Sequence, residues 1–476
     1  MPKSLLDLGP TYWFENTAGT GNFWQRKEVM LDYPEMKALK LLILVFGALA
    51  FTRVLGGTRP NLILISVDTL RQDHVSIYGY ARNTTPNADR LIRTGAWFSN
   101  AHCNIPLTSP GFASLMTSRY PHETGSTRNG VPMVNDLETL AEILKKNGYA
   151  TAAVLSNWPL KKNISNLDKG FELYDDDFFR KRWIFFNSER DAQGVTRQAS
   201  AWIDSNPQQP FFLWAHYSDP HQPYLFHNGF NFASKTQTPN KAQDKINAYD
   251  SEVAYADYHI GVLLDQLRAR GLDQNSLIVF IADHGEELGE HGYTGHGRYL
   301  YEPSMRIPFG LSGPGIPAGK RVDAQIELLD LAPTMLAYAG IAPGAAMRGR
   351  NLMPFILGQK SWPEHFLVYF ETYPGAVRGE GAEKMVNVKD PIWIGLKLDD
   401  LKVCFHPSGA RWEMYDLAGD AKEIRNLADP ADQTFIRFSD HLLAWRRVWE
   451  KSAVSGQPDA MTLEDKKRLE ALGYLK

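Results

Sequence analysis

The chain is short of several things, and each shortage removes a class of function. It has 476 residues but only two cysteines, Cys103 and Cys404. Two thiols make neither a disulfide framework nor a cysteine-type zinc site, and at most one bridge. Charge of one sign is also lacking: 51 Lys plus Arg stand against 54 Asp plus Glu, a net charge of −3 with no basic run. That balance argues against a nucleic-acid surface. The chain carries neither internal repeats nor low-complexity tracts. What remains is a length ample for a large buried core and a second, smaller subdomain.

The N-terminus stands apart. Residues 1–35 show no periodicity and read as a loose tail or as sequence before the true start at Met36. Met36-Lys37-Ala38-Leu39-Lys40 precedes an apolar run from Leu41 to Phe51. A basic start and a short apolar stretch suit a secretory signal, or an uncleaved membrane anchor, better than a spanning helix. Residues 36–58 are therefore expected to carry the chain out of the cytoplasm, to the periplasm or beyond.

From Asn61 onward, strand-like and helix-like segments alternate, the mark of an α/β domain. Two apolar runs end in acid. Asn61-Leu62-Ile63-Leu64-Ile65-Ser66-Val67 leads into Asp68, and Ser276 to Ala282 leads into Asp283-His284. Short runs of branched aliphatics read as strands buried on both faces. Ligands of such sheets bind just beyond the carboxyl ends of the strands. Two carboxylates and an imidazole delivered there suggest a metal cup.

Other segments are placed from pattern. Pro110–Met116, Leu137–Lys146, Val195–Asp204, Asn247–Arg270 and Leu463–Leu472 read as helices. Thr151–Leu155 and Phe211–Ala215 read as strands, the latter running into His216. Beyond about Pro363 the pattern turns to short β-like pieces, Phe366–Phe370 and Leu401–Phe405. The expected organisation is a catalytic domain over 59–362 and a sheet subdomain with a tail helix over 363–476.

Three further segments carry candidate chemistry: the hydroxyl-rich stretch Pro106 to Ser118, the segment His216 to Tyr224, and the loop Gly289 to Gly297. A hydroxyl at a loop-to-helix junction meets free backbone N–H groups and the positive helix end. Thr108 there is either a reacting group or a helix cap. Glu286, Glu287 and Glu290 read as a solvated loop face, and His291 as structural. Asp73 reads as a cap and His74 as a packing residue. Tyr249, Glu252, Tyr255 and Asp257 read as structural positions on the long helix.

Taken in order, these pieces resemble the sulfatase family of the alkaline-phosphatase superfamily. The match runs through Pro60-Asn61, Val67 to His74, Thr84-Thr85-Pro86-Asn87, the Thr108 segment, Asp219-Pro220-His221, Asp283-His284-Gly285-Glu286, Met414-Tyr415-Asp416-Leu417 and Asn426-Leu427-Ala428. The resemblance implies a large, mostly parallel sheet flanked by helices, with a smaller C-terminal antiparallel sheet. It also implies one divalent ion (Ca, Mn, Zn or Mg), with room for a second.

The departures from the family pattern agree with one another. Members with the usual Cys-x-Pro-Ser-Arg motif convert its Cys or Ser to formylglycine. Here the aligned residue is Thr108, followed by Ser109-Pro110-Gly111-Phe112, so both the convertible residue and the Arg are missing. Cys103, followed by Asn104-Ile105-Pro106-Leu107, does not fit either. The usual tandem Asp is Asp68-Thr69, the Lys and His of the sulfate-binding segment give way to Asn157-Trp158, and a family Lys is matched by His296. A Thr nucleophile is typical of the superfamily's phosphodiesterase, phosphonate hydrolase and phosphoglycerol transferase branches.

The resemblance thus implies Asp68, Asp283, His284 and Thr108 at the metal, Thr108 as nucleophile, His221 and His296 on the reacting oxygens or leaving group, and Asn157 and His216 toward substrate. The expected substrate is a small-molecule or glycan ester of phosphate, phosphonate or sulfate. A transferase with an alcohol acceptor, and a degenerate carbohydrate-binding protein without catalysis, are the competing readings. Variable loops around Phe178–Arg190 and Phe226–Lys241 are the expected source of selectivity.

Overall fold

The computed structural model describes residues 59–178, 181–183, 186–187, 189–205, 210–232, 241–373 and 391–454. The N-terminal tail, the apolar run at 41–51, the C-terminal helix expected at 463–472 and parts of both expected selectivity loops lie outside them. No helix among the described residues is long and apolar enough to cross a membrane.

The unit Asn61–Lys476 is built on an eight-stranded sheet. In chain order its strands are β1 (Asn61–Val67), β2 (Ala96–Phe98), β3 (Ala150–Val154), β4 (Leu173–Asp175), β5 (Phe211–Tyr217), β6 (Ser276–Ala282), β7 (Phe309–Ser312) and β8 (Lys320–Val322). Their spatial order is β8-β2-β7-β6-β1-β5-β3-β4. The five strands from β6 to β4 are mutually parallel, and β7 runs antiparallel to both β6 and β2. Every residue of β1, β5 and β6 is buried. Helices cover both faces of such a sheet, so its central strands need apolar side chains in succession rather than in alternation.

Register then positions the chemistry. Val67 pairs with Tyr217 on one side and with Ala282 on the other. The three central strands end level, and their next residues, Asp68, Ser218 and Asp283, emerge at one edge.

The helices that matter for the site are α1 (Thr108–Thr117), α2 (Leu140–Lys146), α3 (Ala192–Ser205), α4 (Lys241–Ala269) and α5 (Gln433–Ser452). Two differ instructively from the pattern-based expectation. The first starts at Thr108 rather than Pro110, with Gly111 N–H donating to Leu107 C=O at 2.8 Å. Pro110 sits in the first turn, where no helical partner for its missing N–H is required. The second starts after Thr139 rather than at Leu137. Thr139 and Glu142 form a reciprocal capping box, a stronger start signal than the earlier Asn135-Asp136.

A second sheet holds β9 (Leu367–Thr372), β10 (Trp393–Leu398), β11 (Leu401–His406) and β12 (Arg411–Asp416), all antiparallel in that order. It reaches the loops that carry the site. Glu371 N–H donates to Asn104 C=O at 3.0 Å, and the Thr372 hydroxyl to Gly297 C=O at 2.5 Å.

Candidate active site

Asp68 and Asp283 each have one carboxylate oxygen engaged and one to spare. Asp283 Oδ1 accepts the backbone N–H of Thr69 at 3.3 Å and that of His284 at 3.0 Å. Asp68 Oδ2 accepts from Asn157 Nδ2. Asp68 Oδ1 and Asp283 Oδ2 are buried and have no hydrogen-bond partner among the described residues. They lie 3.6 and 3.5 Å from His284 Nε2. His284 Nδ1 donates to Gly285 C=O at 2.9 Å, which leaves Nε2 with its lone pair facing the same point. Thr108 Oγ1 lies 3.5 Å from that nitrogen.

Backbone geometry supports the cup. Thr69 is left-handed, at φ 55°, which turns its N–H onto Asp283. Such strain in a residue other than glycine persists only where its surroundings over-determine it. Gly285 lets the chain after His284 pass close to its neighbour, since a Cβ there would lie 2.0 Å from Pro303 C=O.

All four groups are completely buried. Burial raises the Asp68 carboxyl well above its usual range, and the charge of Asp283 adds to this. Burial pushes Asp283 up to about 8 and His284 down to about 3. These are carboxylates in search of a cation and an imidazole kept neutral. Two carboxylate oxygens, one imidazole nitrogen and a hydroxyl suit a divalent metal ion.

His221 and His296 stand beside the cup. Their Nε2 atoms face each other at 3.3 Å, and the His296 ring lies 4.5 Å from the His284 ring. Both Nδ1 atoms point at backbone carbonyls, of Gln222 at 2.8 Å and Pro106 at 3.2 Å. With both Nδ1 atoms donating, the facing Nε2 atoms are set to share a proton when one ring is charged. Burial lowers His221, but the carboxylates of Asp68, Glu189 and Glu286 together outweigh burial and raise it. Burial and the neighbouring His284 and His221 hold His296 low. His221 is therefore the more basic ring of the pair and His296 the less basic.

The other expected substrate residues take supporting positions. Asn157 spends its Nδ2 on Asp68. His216 is fully buried, its Nδ1 2.9 Å from Ser66 Oγ and its ring edge-on to Phe112. Burial holds it down to about 3. Thr108 is the first residue of α1 and Leu107 its N-cap; the Thr108 side chain turns to His284. Cys103 is buried and faces Ser304 C=O at 3.6 Å.

One reading needs correction. Glu286 and Glu287 are buried, not a solvated face. Glu286 accepts the Tyr224 hydroxyl at 2.5 Å, and Glu287 pairs with His291 at 3.2 Å. Only Glu290 is substantially open to solvent, and it pairs with Arg71 at 2.8 Å. Arg71 also holds Asp73, and His74 pairs with Asp250 at 2.7 Å. Sequence reasoning missed Glu189, 3.6 Å from His221 Nδ1, because nothing local marks it.

A profile described as Sulfatase matches residues 60–341, more than half of the chain. The chain belongs to the sulfatase family. A second profile, N-sulphoglucosamine sulphohydrolase, C-terminal, matches residues 289–444. A sulfatase of Formosa agariphila is 27% identical, covering 62% of this chain and 72% of that protein. An N-acetylglucosamine-6-O-sulfatase of Bacteroides thetaiotaomicron is 23% identical over 90% of this chain and 93% of its own length. In fold, the phosphonate monoester hydrolase of Agrobacterium radiobacter superposes with a TM-score of 0.67 at 21% identity, covering 84% of this chain and all of that one. The expected architecture is thereby borne out. This sulfatase-family chain is a hydrolase of ester bonds, and its family generally uses a divalent metal.

Proposed function

We propose that this sulfatase-family enzyme cleaves a phosphate or phosphonate ester through a covalent intermediate on Thr108. The observation that carries the reading is the Thr108 hydroxyl at the first residue of α1, 3.5 Å from His284 Nε2, the nitrogen that also faces the two spare carboxylate oxygens. Asp68, Asp283, His284 and Thr108 would hold the divalent ion. When bound, that ion supplies Lewis acidity, which favours the ionised hydroxyl and offsets charge on the ester oxygens.

The chain's own groups do the rest. Thr108 gives its hydroxyl proton to solvent, and its oxygen forms a bond to phosphorus as the ester O–P bond breaks. His221 Nε2 donates the shared proton to the departing oxygen. In the second half, neutral His221 takes a proton from water, the water oxygen bonds to phosphorus, and the Thr108 O–P bond breaks. His296 keeps His221 Nε2 aimed at that oxygen, and Asn157 keeps Asp68 Oδ1 turned into the cup.

Sulfate ester hydrolysis is the second reading, and family membership favours it. The name of the B. thetaiotaomicron relative points to a sulfated sugar, so a glycan ester is the matching substrate class. Paired assays of metal-loaded protein on aryl phosphate, phosphodiester, phosphonate and sulfate esters separate the readings. Acid quenching with a phosphate ester should leave phosphorylated Thr108. Thr108→Ala should lower turnover by roughly 10⁴- to 10⁶-fold, the scale for removing a nucleophile from a catalytic unit. Near-normal turnover by Thr108→Ala would reduce the hydroxyl to a packing group and end the proposal.

A further inference from the structure

The segment that carries His221 is fastened by a second group of metal-ligating side chains. Asp219 stands two residues before His221, His227 six residues after it, and Glu252 on α4. One ligand atom from each lies within 4.8 Å of the others. His227 Nε2 is 2.9 Å from Glu252 Oε2 and 4.0 Å from Asp219 Oδ1.

Glu252 and His227 are held in place from outside the cluster. Glu252 Oε1 accepts the Leu225 N–H at 2.6 Å, which leaves Oε2 for the imidazole. The His227 N–H donates to Ser251 Oγ at 2.8 Å. The His227 ring lies flat on Tyr255, 3.8 Å between centroids and 4° between planes. That stacking fixes the direction of Nε2 toward the two carboxylates. Asp219 and Glu252 are wholly buried, while the His227 side chain keeps 20% exposure and so provides an entry path. Within the group, at most one positive charge on the imidazole faces two buried carboxylates.

We propose that Asp219, His227 and Glu252 form a second divalent-cation site, of the Zn²⁺ or Mn²⁺ class, that clamps the His221-bearing segment onto α4. One imidazole with two carboxylates matches that class better than calcium or magnesium, which favour oxygen alone. The two distances from His227 Nε2, 2.9 and 4.0 Å, are those of donors converging on one ion at about 2.0–2.2 Å. It shares no ligand with the cup, and through Asp219 and His227 it grips the chain on both sides of His221, so its function is to position that residue.

The competing account is a plain His227–Glu252 ion pair, and metal stoichiometry separates the two. Protein equilibrated with Zn²⁺ or Mn²⁺ and freed of excess by gel filtration is analysed for metal by mass spectrometry. Wild type should hold two ions per chain, Asp283→Asn one, His227→Ala one, and the double variant none. Added Zn²⁺ should raise the melting temperature of Asp283→Asn but not of the double variant. Should His227→Ala fold poorly by circular dichroism, Glu252→Gln, which keeps the side-chain volume, must show the same loss of one ion. Metal content unchanged by His227→Ala or Glu252→Gln overturns the proposal. Failure of the cup reading looks different: wild type would hold one ion, sensitive to His227→Ala and indifferent to Asp283→Asn.

Discussion

Two regions of this molecule bury several ionisable groups each, and they treat the charge in opposite ways. Under the second sheet, Lys402 on β11 lies 3.0 Å from Glu302 and 2.8 Å from Glu423. Glu302 also meets His102 at 2.9 Å, and Glu423 accepts the Glu302 N–H at 2.6 Å. Burial works against the Lys402 ammonium, yet Glu423 and Glu302 together outweigh it and raise its pKa. That cluster is closed: its cation is a side chain. In the cup, Asp68 and Asp283 keep one oxygen each without a hydrogen-bond partner among the described residues. Buried charge is tolerated only when paired. A cluster that brings its own cation is structural, whereas one that leaves oxygens unspent is built for a cation from outside.

The largest effects should separate the two clusters by kind. Asp283→Asn keeps the volume but removes a charge that the ion needs. Bound metal at the cup should disappear and turnover fall by roughly 10⁴-fold, the scale for disabling a catalytic unit. Stability of the metal-free protein should hold or rise, because Asn replaces a carboxyl whose ionised form burial disfavours. Metal analysis, kinetics and thermal melts on one preparation test this. Full activity after chelation and dialysis would remove the metal assignment.

Lys402→Met should do the reverse. Removing one partner of a buried ion pair leaves uncompensated charge and costs about 3–5 kcal/mol. Denaturant unfolding should register that loss whether or not metal is present, while per-folded-molecule turnover stays close to normal. If Lys402→Met proves neutral in stability, the closed cluster is not held by its charges and the contrast drawn above fails.

How much of this was legible in the sequence follows from the same physics. The ends of β1 and β6 were readable because strands buried on both faces need unbroken apolar runs, and the acid that follows then stands out. Asp68, Asp283 and His284 were therefore singled out before their contacts were known, and Thr108 came from its loop-to-helix junction and the family resemblance. Strand and helix limits shifted where a local cap decided them, as at Thr139. Charged residues buried by distant partners gave no signal. Lys402 alternates along β11 like any solvent-facing lysine, yet it points inward to Glu302 and Glu423. Glu286 and Glu287 sit in a glycine-rich loop, where burial depends on Tyr224 and His291 arriving from elsewhere. Glu189 reaches His221 only through the fold.

A smaller effect concerns the proton. His221→Ala should lower turnover by roughly 10²- to 10⁴-fold, the range for a positioned general acid. The loss should shrink for esters with good leaving groups, because those oxygens depart without protonation. Equal losses on nitrophenyl and alkyl esters would mean that His221 only binds substrate.

The smallest effect tests why His221 holds the proton rather than His296. Three carboxylates raise His221 against burial, and one of them, Glu189, stands 3.6 Å from its Nδ1. The acid must be protonated to donate, so turnover should fall as pH rises through the pKa of His221. Raising that pKa carries the active range to higher pH. Glu189→Gln keeps the shape and removes one raising charge, so the alkaline limb of kcat should move to lower pH. Below that limb, where His221 is protonated in both proteins, turnover should be nearly the same. Metal content should not change, since Glu189 is not among the cup residues. A limb that stays in place, or moves to higher pH, would show that Glu189 does not set the proton on His221. The cup would then have to hold that proton through Asp68 and Glu286 alone.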